Sequence, residues 1–458
     1  MPEIFDAIII GGGQAGPPLA ERLGKVGRKT LLIERHLLGG TCVNVGCYPT
    51  KVLVGSAHVA ALARRANEFG IDVSGVAADM KKVRARVDDI VGTANANVNK
   101  WVDGMDNVTL LRGHARFTGE NSVEVDGRQF EAEQIFINVG ARARVPEMPG
   151  LDDVHYLTNS DIIKLDTLPE HLLIVGGSYI GLEFAQVFRR FGAKVTVVEM
   201  QDRLIAREDE DVSNAVQEIL EGEGVTIRLK AECIGFEPGP TGVRMNVDCD
   251  EDSTPIDGSH VLLAVGRQPN TDDLGLGDAG VEVDAQGFIT VDEKLTTSNP
   301  NVWALGEVNR RGAFTHTSYN DFEIVAANLL DGDERSLDDR IDCYGLFIDP
   351  PLGRIGMTET QAWESGRNVL KGTRPMSRVG RAKEFGETRG FMKILVDADS
   401  EEILGASILG IYGDEAVHCL LDVMYAKRPY TTISRAVHIH PTVSELIPTV
   451  LQGLQAAK

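Results

Sequence analysis

The stretch "AIIIGGGQAGPPLAERLGKVGRKTLLIE" (residues 7–34) decides the fold. An unbroken apolar run enters a glycine turn, a helical stretch follows, and a second apolar run ends in an acid. Each part has a physical purpose. Gly11 permits the tight turn, Gly13 lets backbone approach a pyrophosphate, and Gly16 lets the helix pack on the strand. The helix N-terminus then offers N–H groups and a positive dipole end to phosphate. Glu34, ending the second strand, is placed to accept both hydroxyls of a ribose. The pattern recurs as "LLIVGGSYIGLEFAQVFRRFGAKVTVVE" (172–199), with Gly176, Gly181 and Glu199 in the same places. In each copy the acid stands 23 positions after the first glycine, and equal spacing makes chance a poor explanation. Ser178 stands where the middle glycine belongs; its side chain either crowds the pyrophosphate or donates a hydroxyl to it.

Further apolar runs read as returns to these sheets. "EQIFINVG" (133–140) closes the first, "SHVLLAVGRQPN" (259–270) the second, and "TTSNPNVWALGE" (296–307) adds another strand to the first. The fold class expected is α/β, with two Rossmann-like dinucleotide-binding domains, the second inserted in the first. From about residue 341 the strand "GFMKILVD" and the helical "GDEAVHCLLDVMYAK" indicate a C-terminal α+β domain. The boundaries read as 1–150 and 271–340 for the interrupted first domain, 151–270 for the insertion and 341–458 for the last. A chain of 458 residues is too long for one ordinary core, which agrees with such a division.

Composition excludes some functions. A formal net charge of −22 repels phosphate, against broad nucleic-acid or anionic-membrane binding. No apolar run reaches membrane-spanning length, and "MPEIFDAIII" enters a strand with no secretory-leader pattern. A cytoplasmic enzyme is the expectation. Cys233, Cys249, Cys343 and Cys419 are scattered, as thiols in a reducing compartment are.

The remaining two cysteines stand close together in "GGTCVNVGCYPTK" (39–51). A zinc clip would want a second cysteine or histidine pair at matching spacing, and none is found, so no metal site is expected. A structural staple across so short a loop restricts little chain entropy. A redox-active dithiol fits the position just after a nucleotide unit and entering a helix, where thiolate is favoured.

Taken in order, GGGQAG, GGTCVNVGCYPTK, GGSYIGLE, AVGRQPN, NVWALGE and HIHPTVSE resemble the motifs of the flavin-dependent pyridine nucleotide–disulfide oxidoreductases. That family includes dihydrolipoyl dehydrogenase, glutathione reductase and mercuric reductase, and the resemblance covers nearly the whole chain. It implies that the first unit holds FAD through Gly11, Gly13, Gly16 and Glu34. It implies that the second holds a nicotinamide nucleotide through Gly176, Ser178, Gly181 and Glu199. Thr41, Gly140 and Gly266 join the cofactor-binding set. Glu307 replaces the family's usual aspartate on a longer arm, and the helix opening at Thr315 and His316 points its N-terminus at the flavin. Cys47 becomes the flavin-facing thiol and Cys42 the one that attacks substrate. Lys51 sits near the flavin and pairs with Glu183. Tyr179 matches the ring that shields the flavin until nicotinamide displaces it, with core packing as its alternative. His440 matches the catalytic base and Glu445 the carboxylate orienting it, while His438 packs or supports. A homodimer follows, each active site built from both subunits.

Finer points separate the members. Glu199 favours NADH by repelling a 2′-phosphate, while Arg203 and Arg207 leave NADPH open. Glu21 stands where glutathione reductases carry an arginine for substrate. "YGLFIDPPLGRIGMTE" and "FTHTSYND" resemble the mercuric-reductase branch, yet the chain keeps His440 and has no cysteine after Cys419. The reading is an NAD(P)H:disulfide oxidoreductase acting on a disulfide, thiol-bound or metal-ion acceptor. Dihydrolipoyl dehydrogenase is one alternative, and a low-turnover redox-sensing flavoprotein is another.

Overall fold

Residues 7–10 and 31–33 are apolar at every position, which suits strands covered by helices on both faces. They are buried throughout and pair in parallel, Ile8 opposite Leu31. The computed structural model describes residues 1–247 and 254–456. The chain divides into two units: Met1–Val52, Arg84–Arg144 and Gly266–Arg340 form one, and Leu53–Val83, Val145–Val265 and Ile341–Lys458 the other.

The first unit is built on a seven-stranded sheet. Its order is Val108–Arg112, Thr30–Glu34, Glu3–Ile10 and Arg128–Ile137, followed by Ser122–Val125 and Ala115–Gly119. Val302–Ala304 also lies in parallel against Arg128–Ile137, so a strand late in the chain completes a sheet begun at residue 3. Helix Gly16–Lys25 lays Leu19, Ala20 and Leu23 against Ile9, Leu32 and Phe136. Burying each such leucine contributes about 1.5–3 kcal/mol. Pro17 and Pro18 fall in the first helical turn, where a missing N–H removes no intrahelical bond.

The second unit repeats this plan. Its parallel sheet runs Thr226–Arg228, Lys194–Val198, His171–Val175, His260–Leu263, Tyr156–Leu157, and helix Tyr179–Phe191 covers it. A three-stranded antiparallel sheet, Gly235–Gly239, Gly242–Asn246 and Ile256–Gly258, stands beside it in sequence. The C-terminal part is a six-stranded antiparallel sheet centred on Ile403–Leu409 and Phe391–Asp397. Lys393 is buried in that sheet and is held by Asp209 at 2.9 Å, Asp211 at 2.7 Å and Glu359 at 3.2 Å. The chain is thus the expected α/β protein with one nucleotide fold interrupting another.

Two readings need correction. The segment 259–270 is not one return strand: His260–Leu263 joins the second unit's sheet, whereas Arg267–Pro269 pairs antiparallel with Ala141–Ala143 in the first. The C-terminal run is helical as expected, in two helices, Gly413–Ala416 and His418–Tyr425. Cys233 is disulfide-bonded rather than a thiol; Cys249 lies outside the described residues. Among the described residues no helix is long and apolar enough to cross a membrane.

Candidate active site

The acid ending each nucleotide strand closes back on its own glycine turn. Glu34 Oε2 accepts from Gly12 N–H at 2.7 Å and its Oε1 from His36 N–H at 2.6 Å. Glu199 repeats this, with Oε2 accepting from Gly177 N–H at 2.6 Å and Oε1 from Gln201 N–H at 2.9 Å. Neither following helix has an acidic residue in its first turn, so both positive helix ends are left for an anion. At Gly16 a Cβ would lie 2.2 Å from Gly11 O, and at Gly181 it would lie 2.1 Å from Gly176 O. Helix and turn therefore touch backbone to backbone, the packing a dinucleotide turn needs. The residues fit a dinucleotide in each unit.

The dithiol segment is built onto the first turn. Gly39 N–H donates to Gly12 O at 2.8 Å, and Gln14 Nε2 donates to Gly39 O at 2.9 Å. A Cβ at Gly40 would lie 2.9 Å from Gly13 Cα. The short helix Gly40–Val45, carrying Thr41 and Cys42, thus starts against the turn, and after Gly46 the helix Cys47–Arg64 opens at the second cysteine. A ladder of amides supports it. Asn44 Nδ2 donates to Leu38 O and Gly40 O; Asn95 Nδ2 donates to Asn44 Oδ1 at 3.0 Å; Arg112 Nη2 donates to Asn99 Oδ1 at 2.7 Å.

Cys42 and Cys47 are both thiols in this structure and are in hydrogen-bond contact. Cys47 Sγ lies 3.3 Å from Thr315 Oγ1, and Thr315 opens the helix Thr315–Ala326. The hydrogen bond to Cys47, aided by burial, pushes the Cys42 thiol well above the ordinary thiol range. The Thr315 hydroxyl and the Lys51 ammonium act in the opposite direction. Next in this helix, His316 stacks on Phe314 with ring centres 5.4 Å apart.

Glu307 is not a loose carboxylate. Arg267, from the AVGRQPN motif, donates from Nε to Glu307 and from Nη2 to Ala141 O. Asp321 accepts from Gly306 N–H at 2.7 Å and Asn309 Nδ2 at 3.0 Å, fixing the turn just before Glu307. Gly140 and Gly266 both have positive φ, +64° and +109°. That conformation disfavours a side chain at either.

In the second unit Ser178 caps the helix Tyr179–Phe191 in extended conformation. Tyr179 meets Tyr344 edge-on with centroids 5.4 Å apart. Glu183 is buried and accepts from Phe347 N–H at 3.1 Å. His440 Nδ1 lies 2.8 Å from Glu445 Oε2, and the imidazole is 80% exposed. Nδ1–H donated to the carboxylate leaves Nε2 as the outward-facing proton acceptor. Thr442 Oγ1 accepts from Glu445 N–H at 3.2 Å, and His438 Nδ1 faces Ala436 O at 3.4 Å.

Several residues that matter here went unread in the sequence. Asn138 ends the strand Arg128–Ile137; its Oδ1 accepts from Gly16 N–H at 3.1 Å and its Nδ2 donates to Leu305 O at 2.9 Å. An asparagine directly after a wholly apolar run, facing a glycine turn, was the available signal. Asn95 and Asn99, four residues apart on one helix face, were another.

Two glycine-turn nucleotide folds, a vicinal dithiol and a carboxylate-oriented histidine define a nucleotide-dependent sulfur oxidoreductase. The model for "Pyridine nucleotide-disulphide oxidoreductase" matches residues 5–321, and that for its dimerisation domain matches residues 344–451. The chain belongs to this family of FAD-dependent enzymes, which use a pyridine nucleotide and act on sulfur groups. It is 36% identical to the probable pyridine nucleotide-disulfide oxidoreductase RclA of Escherichia coli, over 96% of this chain and 97% of that one. It is 32% identical to dihydrolipoyl dehydrogenase of Thermus scotoductus, over 98% and 97% of the two chains. Mercuric reductase of Staphylococcus aureus is 30% identical, over 90% of this chain and 76% of that one. The solved structure of the HOCl-induced flavoprotein disulfide reductase RclA from Escherichia coli superposes with a TM-score of 0.89 at 35% identity. It covers 98% of this chain and 99% of its own.

Proposed function

We propose that this chain is an NADH-preferring disulfide reductase working as a cytoplasmic homodimer. FAD is assigned to residues 1–150 and 266–340, the nicotinamide nucleotide to 151–265 and dimerisation to 341–458. The observation that carries the reading is the contact of Cys42, Cys47 and the Thr315 hydroxyl at a helix N-terminus. Such a site stabilises thiolate on the sulfur it faces, Cys47, and leaves Cys42 as the thiol.

When bound, the flavin relays an electron pair from the nicotinamide to the dithiol. Gly11, Gly13, Gly16, Glu34, Thr41, Gly140, Gly266, Glu307, Thr315 and His316 would hold it, with Lys51 beside it. Gly176, Ser178, Gly181 and Glu199 would hold the nicotinamide nucleotide. Because the Cys42 thiol is held above its ordinary range, attack needs a base. His440 Nε2, oriented through Nδ1 by Glu445, supplies it from the second subunit. Cys42 sulfur attacks one sulfur of an acceptor disulfide, and the other sulfur leaves as a thiolate that takes the proton from His440. Cys47 thiolate then attacks Cys42 sulfur and expels the second acceptor sulfur as a thiolate, which takes its proton from solvent, leaving a Cys42–Cys47 disulfide. Two electrons have moved to the acceptor.

Retention of His440 and Glu445 favours a disulfide acceptor, since reducing a metal ion requires no protonated leaving thiol. A Cu(II) complex of RclA has been solved, so Cu(II) belongs in the acceptor screen. NADH is favoured because Glu199 is fixed on its turn and Arg203 donates to its own loop, at Ala206 O. Anaerobic NADH titration tests the assignment of the sulfurs. The wild type should gain a long-wavelength charge-transfer band that Cys47→Ser abolishes and Cys42→Ser retains. A band surviving in Cys47→Ser sinks the assignment. NADPH matching NADH in kcat/KM would overturn the nucleotide preference.

A further inference from the structure

Glu208 lies in the second unit, just before helix Glu210–Gly222, and its side chain has no exposed surface. Its Oε1 accepts from the Tyr344 hydroxyl, and Tyr344 in turn carries the Tyr179 ring edge-on against its own. Its Oε2 has no hydrogen bond and stands 3.5 Å from Arg354 Nε, itself without one. Arg354 is fixed from behind, donating from Nη1 to Ile355 O and Ala406 O. A buried carboxylate thus has one oxygen on a tyrosine hydroxyl and the other in an ion pair with Arg354 that is not closed by a hydrogen bond.

We infer that Glu208 is a positioning residue: through Tyr344 it holds Tyr179 and sets how readily a nicotinamide ring takes the place Tyr179 covers. This rests on the proposed role of Tyr179 as the ring displaced by nicotinamide. An ionised Glu208 grips the Tyr344 hydroxyl with a charge-assisted bond and pulls on Arg354; a protonated one holds Tyr344 only as a neutral partner.

Burial raises the Glu208 carboxyl to about 7, with Arg354 and Lys393 opposing and Asp209 and Asp211 reinforcing. Those charges face Glu208 from the strands Leu352–Gly356 and Phe391–Asp397 and from its own segment. Lys393 is spent on Asp209 and Asp211, so Arg354 is the cation that answers to Glu208. Tyr179 stays a neutral phenol, since burial and then Glu208 push it well above the ordinary phenol range. As pH rises through 7, Glu208 ionises, Tyr344 tightens and Tyr179 resists displacement.

The experiment is calorimetric binding of NAD+ and of ADP-ribose to the FAD-loaded enzyme between pH 6 and pH 8.5. ADP-ribose lacks the nicotinamide and has no need to move Tyr179, so it corrects for pH effects on the adenosine, pyrophosphate and ribose contacts. In the wild type the ratio of NAD+ to ADP-ribose dissociation constants should rise about fivefold across this range. Glu208→Gln, which keeps an acceptor for Tyr344 but cannot ionise, should hold the ratio at its low-pH value. Tyr344→Phe, which removes only the hydroxyl, should flatten it too. If Tyr179→Ala flattens the ratio while Glu208→Gln and Tyr344→Phe leave the wild-type slope, the inference is overturned and the role of Tyr179 stands. A ratio that Tyr179→Ala leaves unchanged at every pH overturns both.

Discussion

The two glycine turns share their acid clasp and their helix contact, yet they differ at the middle position, Gly13 against Ser178. The reason lies on the neighbouring strand. Where the first unit has Asn138 after its closing strand, the second has Ala264. A Cβ at Gly11 would meet Asn138 O at 2.3 Å, and one at Gly176 would meet Ala264 O at 2.4 Å, so the two positions correspond. The Asn138 amide reaches over the first turn to Gly16 N–H, and a Cβ at Gly13 would lie 2.9 Å from Asn138 Oδ1. Alanine has no amide to send there, so Ser178 keeps its side chain. The middle glycine serves the asparagine as much as the pyrophosphate.

The strongest way to break this comparison is at the positions the two units share. Gly16→Ala and Gly181→Ala each place a methyl about 2 Å from backbone oxygen, and the shift required costs about 3 kcal/mol or more. Gly16→Ala should purify colourless, or fail to fold. Gly181→Ala should stay yellow and lose reduction by NADH. The pair distinguishes the units by colour and by anaerobic flavin bleaching; a yellow Gly16→Ala protein with normal FAD content contradicts the packing account.

A second test swaps the difference itself. Gly13→Ser brings a side chain against Asn138 and should weaken FAD retention at least about tenfold, the scale of a mild overpacking cost. Adding Asn138→Ala recreates the second unit's combination and should recover part of that loss. Fluorescence of FAD released on dilution measures both. A double variant no better than Gly13→Ser removes Asn138 from the explanation.

What the sequence could show followed distance along the chain. The glycine turns and their acids lie within 23 residues of one another, and His440 and Glu445 within five, so spacing alone exposes them. Asn138 meets Gly16 across 122 residues, Thr315 meets Cys47 across 268, and Tyr344 meets Glu208 across 136. No period or local motif joins such pairs; only the closed sheets do. The same limit explains Glu307. Its departure from the usual aspartate is visible in the sequence, but the Arg267 that occupies it comes from a strand whose sequence reads as part of the other sheet. Cys233 failed for a different reason, because a compartment argument about thiols cannot see a particular pair.

Ser178→Gly is the smallest expected effect, and it decides what the extra side chain does. Ser178 caps its helix at φ −111° and ψ −174° without a side-chain capping bond, and its side chain is exposed. Stability should therefore change by no more than a few tenths of a kcal/mol, about the cost of serine to glycine at a helix cap. If the hydroxyl crowds the pyrophosphate, the KM for NADH falls in Ser178→Gly; if it donates to the pyrophosphate, KM rises. An exposed side chain can turn away from the pyrophosphate, and one solvent-shared hydrogen bond contributes little net energy, so KM should rise by about threefold or less. A fall in KM would reinstate crowding. A rise beyond tenfold would make Ser178 a principal pyrophosphate ligand and end the equivalence of the two turns.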